Sequence, residues 1–353
     1  MSGRSGRPAR ARYAVARAAG LSIRAHRRSA LVTAAAVVAV LALAAHSLTL
    51  GDYGLSAADS FRRLMGDGGP SDDFLGVYFV RSVRLPRMVA AVCVGCALGI
   101  AGAVFQTISG NPLGSPDIVG LSTGSATGAL VAIIVLGSSP AVTGVGALVG
   151  GLASGIVIVA CAGGVRVTGM RVVLVGIGCS AALRAVNSLL IVKAPLEAAQ
   201  RAQLWSAGSL AGVTMARVLP LVVVLLAAAC VLAWVSVPLG LVAMGDDVAT
   251  GLGVRVRVVR IVAIVVAMVL VCAATAVAGP VSFVALSAPH VARRVSRSGG
   301  VGLAASAGVG GLIVLASDVV AQRIVAPHEL PVGVVTGVVG GIYLLALLVR
   351  EVR

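Results

Sequence analysis

The sequence predicts an all-α polytopic membrane protein with about ten transmembrane helices. Three observations carry that reading. The 353 residues are 59% hydrophobic, with a mean hydropathy of +1.06, above the roughly half-apolar composition of soluble domains. Only 11% of residues are charged, and they cluster at the ends of apolar runs. Most of those runs approach the ~20 residues that a helix needs to cross a bilayer core. Aromatics are scarce at 3%, while glycine reaches 45 residues, a balance that suits close helix–helix contact in lipid.

Residues 1–29 hold eight arginines and no acid. This arm reads as disordered and cytoplasmic under the positive-inside rule, with the permease-like remainder at 30–353. The run 30–50 is long for a signal h-region and shows no convincing cleavage signal, so it is taken as the first span. A polar loop follows at 51–82 with five aspartates, Asp52, Asp59, Asp67, Asp72 and Asp73. Spans two and three, about 86–108 and 117–136, form a hairpin. Its elbow, 109–117, holds Asn111-Pro112 and Ser115-Pro116. Prolines preclude plain helix there, and irregular backbone at a membrane needs water, a cavity or a protein partner beside it.

The fourth and fifth spans are about 141–163 and 172–192, joined by a basic link. The stretch 193–212, with Trp205, Gly208 and Gly212, reads as a short interfacial helix and turn. The sixth span is about 213–237. A stretch too polar to span, 238–260, contains Gly245-Asp246-Asp247 and three arginines. The seventh run, 261–278, breaks at Gly279-Pro280. A shorter eighth ends near His290, a ninth covers about 302–324, and a tenth ends near Arg350.

Ten crossings place both termini inside a cytoplasmic (inner) membrane. Of the 28 basic residues, eighteen then fall inside and nine outside, with Arg184 within a span. Arg81, Arg84 and Arg87 cluster on the outside, against the bias, and invite a functional explanation.

Several function classes are disfavoured. The net charge of +16 is dispersed between membrane runs, without a basic soluble domain for nucleic acid. Cys93 and Cys96 form a CxxC inside an apolar run and read as small packing residues. No HExxH or other metal spacing occurs. There is no GxxxxGK[ST] loop, so ATP would have to be bound by a separate subunit and the chain itself needs no cofactor. Asp318 is the only acid expected to reach into a span, without an evident partner, which argues against an intramembrane enzyme. Arg184 is either a pathway residue or a snorkelling one. Two small-xxx-small series, Gly120/Gly124/Gly128 and Gly333/Gly337/Gly341, predict faces of close helix contact. The stretch 244–254, MGDDVATGLGV, reads as a capped loop, or as a compact helix–turn–helix knob with acids at a helix start.

Five segments taken together resemble one family. They are RLPR (84–87), GNPLGSPDIVGLSTGSA (110–126), MGDDVATGLGV (244–254), AGPVSFVALSAPHVARR (278–294) and ELPVGVVTGVVGGIYLL (329–345). In this order they are similar to the iron-siderophore and cobalamin family of ABC-transporter permeases. LWSAGSLAG (204–212) and the tail GGIYLLALLVREVR are similar to its ferric-enterobactin branch. The resemblance implies ten helices per subunit and a pair of permease subunits, as a sister heterodimer or a homodimer. It also implies two ATPase subunits, an extracytoplasmic siderophore-binding protein, and a ferric siderophore as cargo, with cobalamin or haem as the alternative. On the residues, it implies docking of the binding protein at Arg84 and Arg87, with Arg81 beside them. Some relatives place a docking arginine where this chain has Gln322, next to Arg323. The inner gate corresponds to Asn111 and Leu113, with Thr168, Gly169 and Met170 in a second gate loop. Coupling to the ATPase corresponds to Gly245, Asp246, Asp247, Ala249, Gly251 and Gly253 within 238–260. Arg184 would face the path of an anionic complex.

Overall fold

The computed structural model describes residues 13–18, 21–50, 54–65, 74–112, 114–117, 120–137, 139–163, 169–297, 300–325 and 328–351. Apart from one hairpin, the regular secondary structure of the described residues is helical. Strands β1 (Tyr13–Ala18) and β2 (Leu21–His26) pair antiparallel, with Tyr13 opposite His26. The sequence reading had expected no regular structure in this arm. The alternation of YAVARA and LSIRAH fits a strand period of two, although two strands without a covering layer are only marginally stable by themselves.

Helix α1 (Arg27–Ser47) leads into two short helices, α2 (Ala57–Met65) and α3 (Phe74–Tyr78). Ser56 caps α2: its hydroxyl donates to Asp59 at 2.6 Å and accepts from the Asp59 amide at 3.1 Å, a reciprocal N-terminal cap. A π-helical turn, Phe79–Arg84, precedes α4 (Leu85–Ser109). Pro86 stands two residues past it, and its missing N–H explains why the regular hydrogen-bond ladder slips at this point.

The rest of the chain is α5 (Leu121–Ile134), α6 (Pro140–Cys161), α7 (Gly169–Lys193), α8 (Leu196–Ser206), α9 (Met215–Val242), α10 (Asp246–Gly251), α11 (Val256–Ala278), α12 (Val284–Ser296), α13 (Leu303–Arg323) and α14 (Val332–Glu351). Seven helical stretches are long and apolar enough to cross a membrane: 27–47, 74–109, 140–161, 171–193, 215–242, 256–278 and 303–323. The apolar stretches Leu121–Ile134 and Val332–Ala346 are shorter, and α12 has 13 residues. Helix α9 continues through Pro238 to Val242, one turn past the boundary expected from hydropathy, and α11 starts at Val256. The polar connection is therefore narrower than 238–260.

Helix α4 is the centre of the bundle. Of its most apolar stretch 72% is buried inside the chain, against 6% for α1 and 11% for 171–193. Glycines allow this. A Cβ on Gly95 would stand 2.2 Å from the Gly310 carbonyl oxygen, one on Gly99 2.2 Å from that of Ser306, and one on Gly102 1.8 Å from that of Ala285. Backbones thus touch where side chains would otherwise intervene. The expected series in α5 behaves likewise: Gly124 and Gly128 meet Gly146, Gly150 and Ser154 of α6. The series in α14 does not. Gly333 abuts Ala207 and Pro280, but a Cβ on Gly337 or Gly341 would meet nothing within 4 Å. Among the described residues that face of α14 is uncovered within the chain.

Candidate functional site

At the end of the bundle where α4 begins, the arginine cluster is tied into the fold. Arg81 donates from Nε to the Arg63 carbonyl at 3.0 Å and from Nη2 to that of Leu64 at 3.2 Å. It thereby covers carbonyls that the last turn of α2 leaves free. Arg84 is buried and donates to the Leu48 carbonyl at 2.8 Å, joining α4 to the end of α1. Arg87 donates from Nε to both carboxylate oxygens of Asp318, at 3.1 and 3.0 Å, from Nη2 to Asp318 Oδ1 at 3.0 Å, and from Nη1 to Glu329 Oε2 at 2.7 Å. Gln322 adds a 2.8 Å bond to Asp318 Oδ2. Side-chain exposure is 12% for Arg87 and 2% for Asp318.

Asp318 therefore has a partner, contrary to the sequence reading, and it is one of the arginines expected to face outward. The signal was faint: one acid in an apolar run with glutamine four residues on, which places both on one helix face. A cavity of about 170 Å³, lined by Arg84, Arg87, Asp318, Gln322 and Glu329 among others, opens beside the cluster. Arg323 is exposed and is not among the residues lining it.

At the opposite end of α4 lies the elbow. Gly110 takes a left-handed φ of 61° as the C-cap of α4. The Gly114 amide donates to the Asn111 carbonyl at 2.9 Å, closing a turn with Pro112 at its second position, where proline is favoured. Asn111 is exposed there, while Leu113 lies outside the described residues. So does Thr168. Gly169 and Met170 begin α7.

Asp117 follows the elbow and accepts from the Ser122 hydroxyl at 2.5 Å, while its second oxygen is buried without a partner among the described residues. It lines a cavity of about 460 Å³ with Ser122, Arg184, Asn187, Ser206 and Ser282. Arg184 thus faces a polar cavity between α5, α7 and the Gly279-Pro280 break. Asp117 and Asn187 were not singled out from the sequence, because their convergence depends on three segments distant in the chain.

Tight backbone contacts shape this cavity. The Ser209 amide donates to the Ala278 carbonyl at 2.7 Å, and the Gly333 amide to that of Gly208 at 3.0 Å. Gly208 (φ 72°) and Gly279 (φ 71°) both adopt left-handed backbone, and a Cβ on Gly208 would stand 2.2 Å from the Pro280 carbonyl oxygen. Trp205, expected at an interface, packs beside Leu130, Ile133 and Ala202. Nearby, Gln106 of α4 donates to the Leu286 carbonyl at 3.1 Å and accepts from Arg293, fixing α12 against α4.

The 244–254 stretch forms a knob. Gly245 (φ 118°) caps α10, which starts with Asp246 and Asp247, and Gly253 (φ 82°) turns the chain toward α11. Ala249 is fully buried beneath it, while Asp246, Asp247 and Gly251 are exposed. Arg260 donates from Nη2 to Asp246 at 2.8 and 3.2 Å. An exposed pair of this kind contributes about 0–1 kcal/mol. Asp246→Ala is therefore expected to move the melting temperature of the solubilised protein by no more than a few degrees. A larger fall would show that the knob depends on this pair.

The chain matches the FecCD transport family over residues 38–350. It is 42% identical to the ferric enterobactin transport system permease protein FepG of Escherichia coli K12, over 92% of this chain and 95% of that one. It is 32% identical to the probable siderophore transport system permease protein YfhA of Bacillus subtilis 168, over 86% and 90%. Its backbone superposes on an inward-facing transporter described as a metal-chelate-type ABC transporter with a TM-score of 0.78 at 26% identity, covering 92% of this chain and 99% of that one. A multi-pass helical bundle with a glycine-packed central helix, matched over nearly its whole length, makes this chain a member of the FecCD transport family.

Proposed function

We propose that this chain is the permease subunit of an ABC importer. It would form the pathway for a ferric siderophore of the catecholate, enterobactin-like class across the cytoplasmic membrane. The observation that carries the reading is the near end-to-end 42% identity to a ferric enterobactin permease. In this reading α5, α12 and α14 complete ten crossings with the seven long helices, and both termini are cytoplasmic. A second permease subunit covers the exposed apolar face of α7, where Leu174, Val186 and Leu189 are open, and the uncovered glycines of α14. Two ATPase subunits supply ATP hydrolysis and grip the knob at Asp246, Asp247 and Gly251. The Asn111 turn and the start of α7 form the inner gate. A siderophore-binding protein docks at the Arg81/Arg84/Arg87 end, where Arg81 and Arg323 are exposed.

Reconstitution in proteoliposomes with the cognate ATPase and binding protein tests this. Uptake of the ferric complex should require both and ATP, and uptake without ATP would overturn it. Arg184 is read as a pathway residue because it lines the polar cavity with Asp117 and Asn187. Arg184→Leu should lower uptake at least tenfold with unchanged membrane abundance. Unchanged uptake would dismiss that role.

A further inference from the structure

A second cavity, of about 330 Å³, lies between α4, α6, α7 and α11 and has a different character. Phe105, Ile158, Val159, Ile261, Ile264 and Met268 wall it, and among the described residues Arg260 is its only charged lining residue. Its walls come from the C-terminal part of α6 and the N-terminal parts of α7 and α11. All three elements end near one another, so the cavity opens at the rim of the bundle.

Arg260 stands at that rim. Its Nη2 is engaged by Asp246, but its Nε is buried with no hydrogen-bond acceptor among the described residues. Arg171, at the start of α7, packs beside the end of α6: its Nη1 is 4.0 Å from where a Cβ on Gly163 would stand. Arg255 and Arg257 begin α11 on the same side, and Asp246 and Asp247 are the acids of the adjoining α10. From Arg260 to Met268 the cavity follows α11 for about 12 Å, at ~1.5 Å per residue. Apolar walls of this kind do not hold water.

We propose that this cavity binds one anionic phospholipid, with an acyl chain along α11 and the phosphate at Arg260. Walls that are apolar apart from Arg260 suit a hydrocarbon chain with a charged head at the rim. The depth is under half of the ~30 Å hydrocarbon core, as required for a lipid of one leaflet. An anionic oxygen at the mouth would give the Arg260 Nε the acceptor it lacks. Basic pockets between membrane helices select anionic headgroups by this charge match. The site is independent of the transport reading, although Arg260 also holds the α10 knob through Asp246.

Native mass spectrometry of the full-length chain in non-ionic detergent tests the proposal. The probes are phosphatidylglycerol and phosphatidylcholine with identical acyl chains. One phosphatidylglycerol should be retained per chain, about fivefold more than phosphatidylcholine, the factor associated with one arginine facing an anionic headgroup. Arg260→Gln should remove the preference and Arg260→Lys should keep most of it. Val265→Trp, placing a ring in the cavity from its exposed side, should abolish retention of both lipids. Equal retention of the two lipids by the unmodified chain would mean ordinary boundary lipid and would overturn the site. So would phosphatidylglycerol binding that survives Val265→Trp, whether or not the Arg260→Gln protein folds.

Discussion

Replacing Asp318 with leucine is expected to destabilise the protein by about 3–5 kcal/mol, the usual cost of removing one partner of a buried ion pair. Arg87 would keep only Glu329, whose side chain is 45% exposed, while three of its four short bonds vanish. Glu329 is the one carboxylate left to Arg87, and a half-exposed partner compensates a largely buried guanidinium less well than the buried Asp318 does. Adding Arg87→Leu should restore most of the loss, because replacing a whole buried pair with apolar side chains is often near neutral. A double-mutant cycle on melting temperatures in detergent would measure the coupling directly. The same cycle separates two uses of Arg87. A residue serving only to dock a binding protein would lose uptake on substitution without losing stability. Additive single-mutant effects would show that the pair contributes nothing to the fold.

Gly102→Val is expected to prevent α4 from seating, at a cost above the ~1–3 kcal/mol of ordinary overpacking. The added Cβ would fall 1.8 Å from a backbone oxygen of α12, and a carbonyl cannot rotate aside as a side chain can. Gly337→Ala is the contrasting case: it meets open space. It should be neutral, or stabilise by up to the ~1 kcal/mol that alanine gains over glycine in a helix. Monodispersity and melting temperature of the solubilised variants would check both. A folded, wild-type-like Gly102→Val protein would mean that α4 and α12 do not approach as closely as described.

How far the sequence reached differs from feature to feature. The apolar runs, the break at Gly279-Pro280 and the turn around Pro112 were legible, since each follows from hydropathy or from residues that restrict local backbone, whereas the 244–254 residues alone left a capped loop and a knob both open and the family resemblance pointed to the knob. The α5 glycine series was legible because its partner helix follows next in the chain. The α14 series was not: spacing shows that a helix has a small-residue face, and says nothing of whether the same chain covers it. The reading of Arg84 and Arg87 took account of their position relative to the membrane but could not see their partners. Leu48 and Asp318 reach them only once α1 and α13 close around α4.

Local pattern therefore determined that this chain crosses lipid repeatedly and where it must bend, because a bilayer sets the length of each run and proline and glycine set its interruptions. Tertiary structure alone decided which polar groups meet. Arg87 and Asp318 are 231 positions apart, and Arg293 and Gln106 are 187 apart. In an apolar interior each such group must find a counterpart, and the identity of that counterpart depends on how the helices assemble, which hydropathy along the chain does not encode.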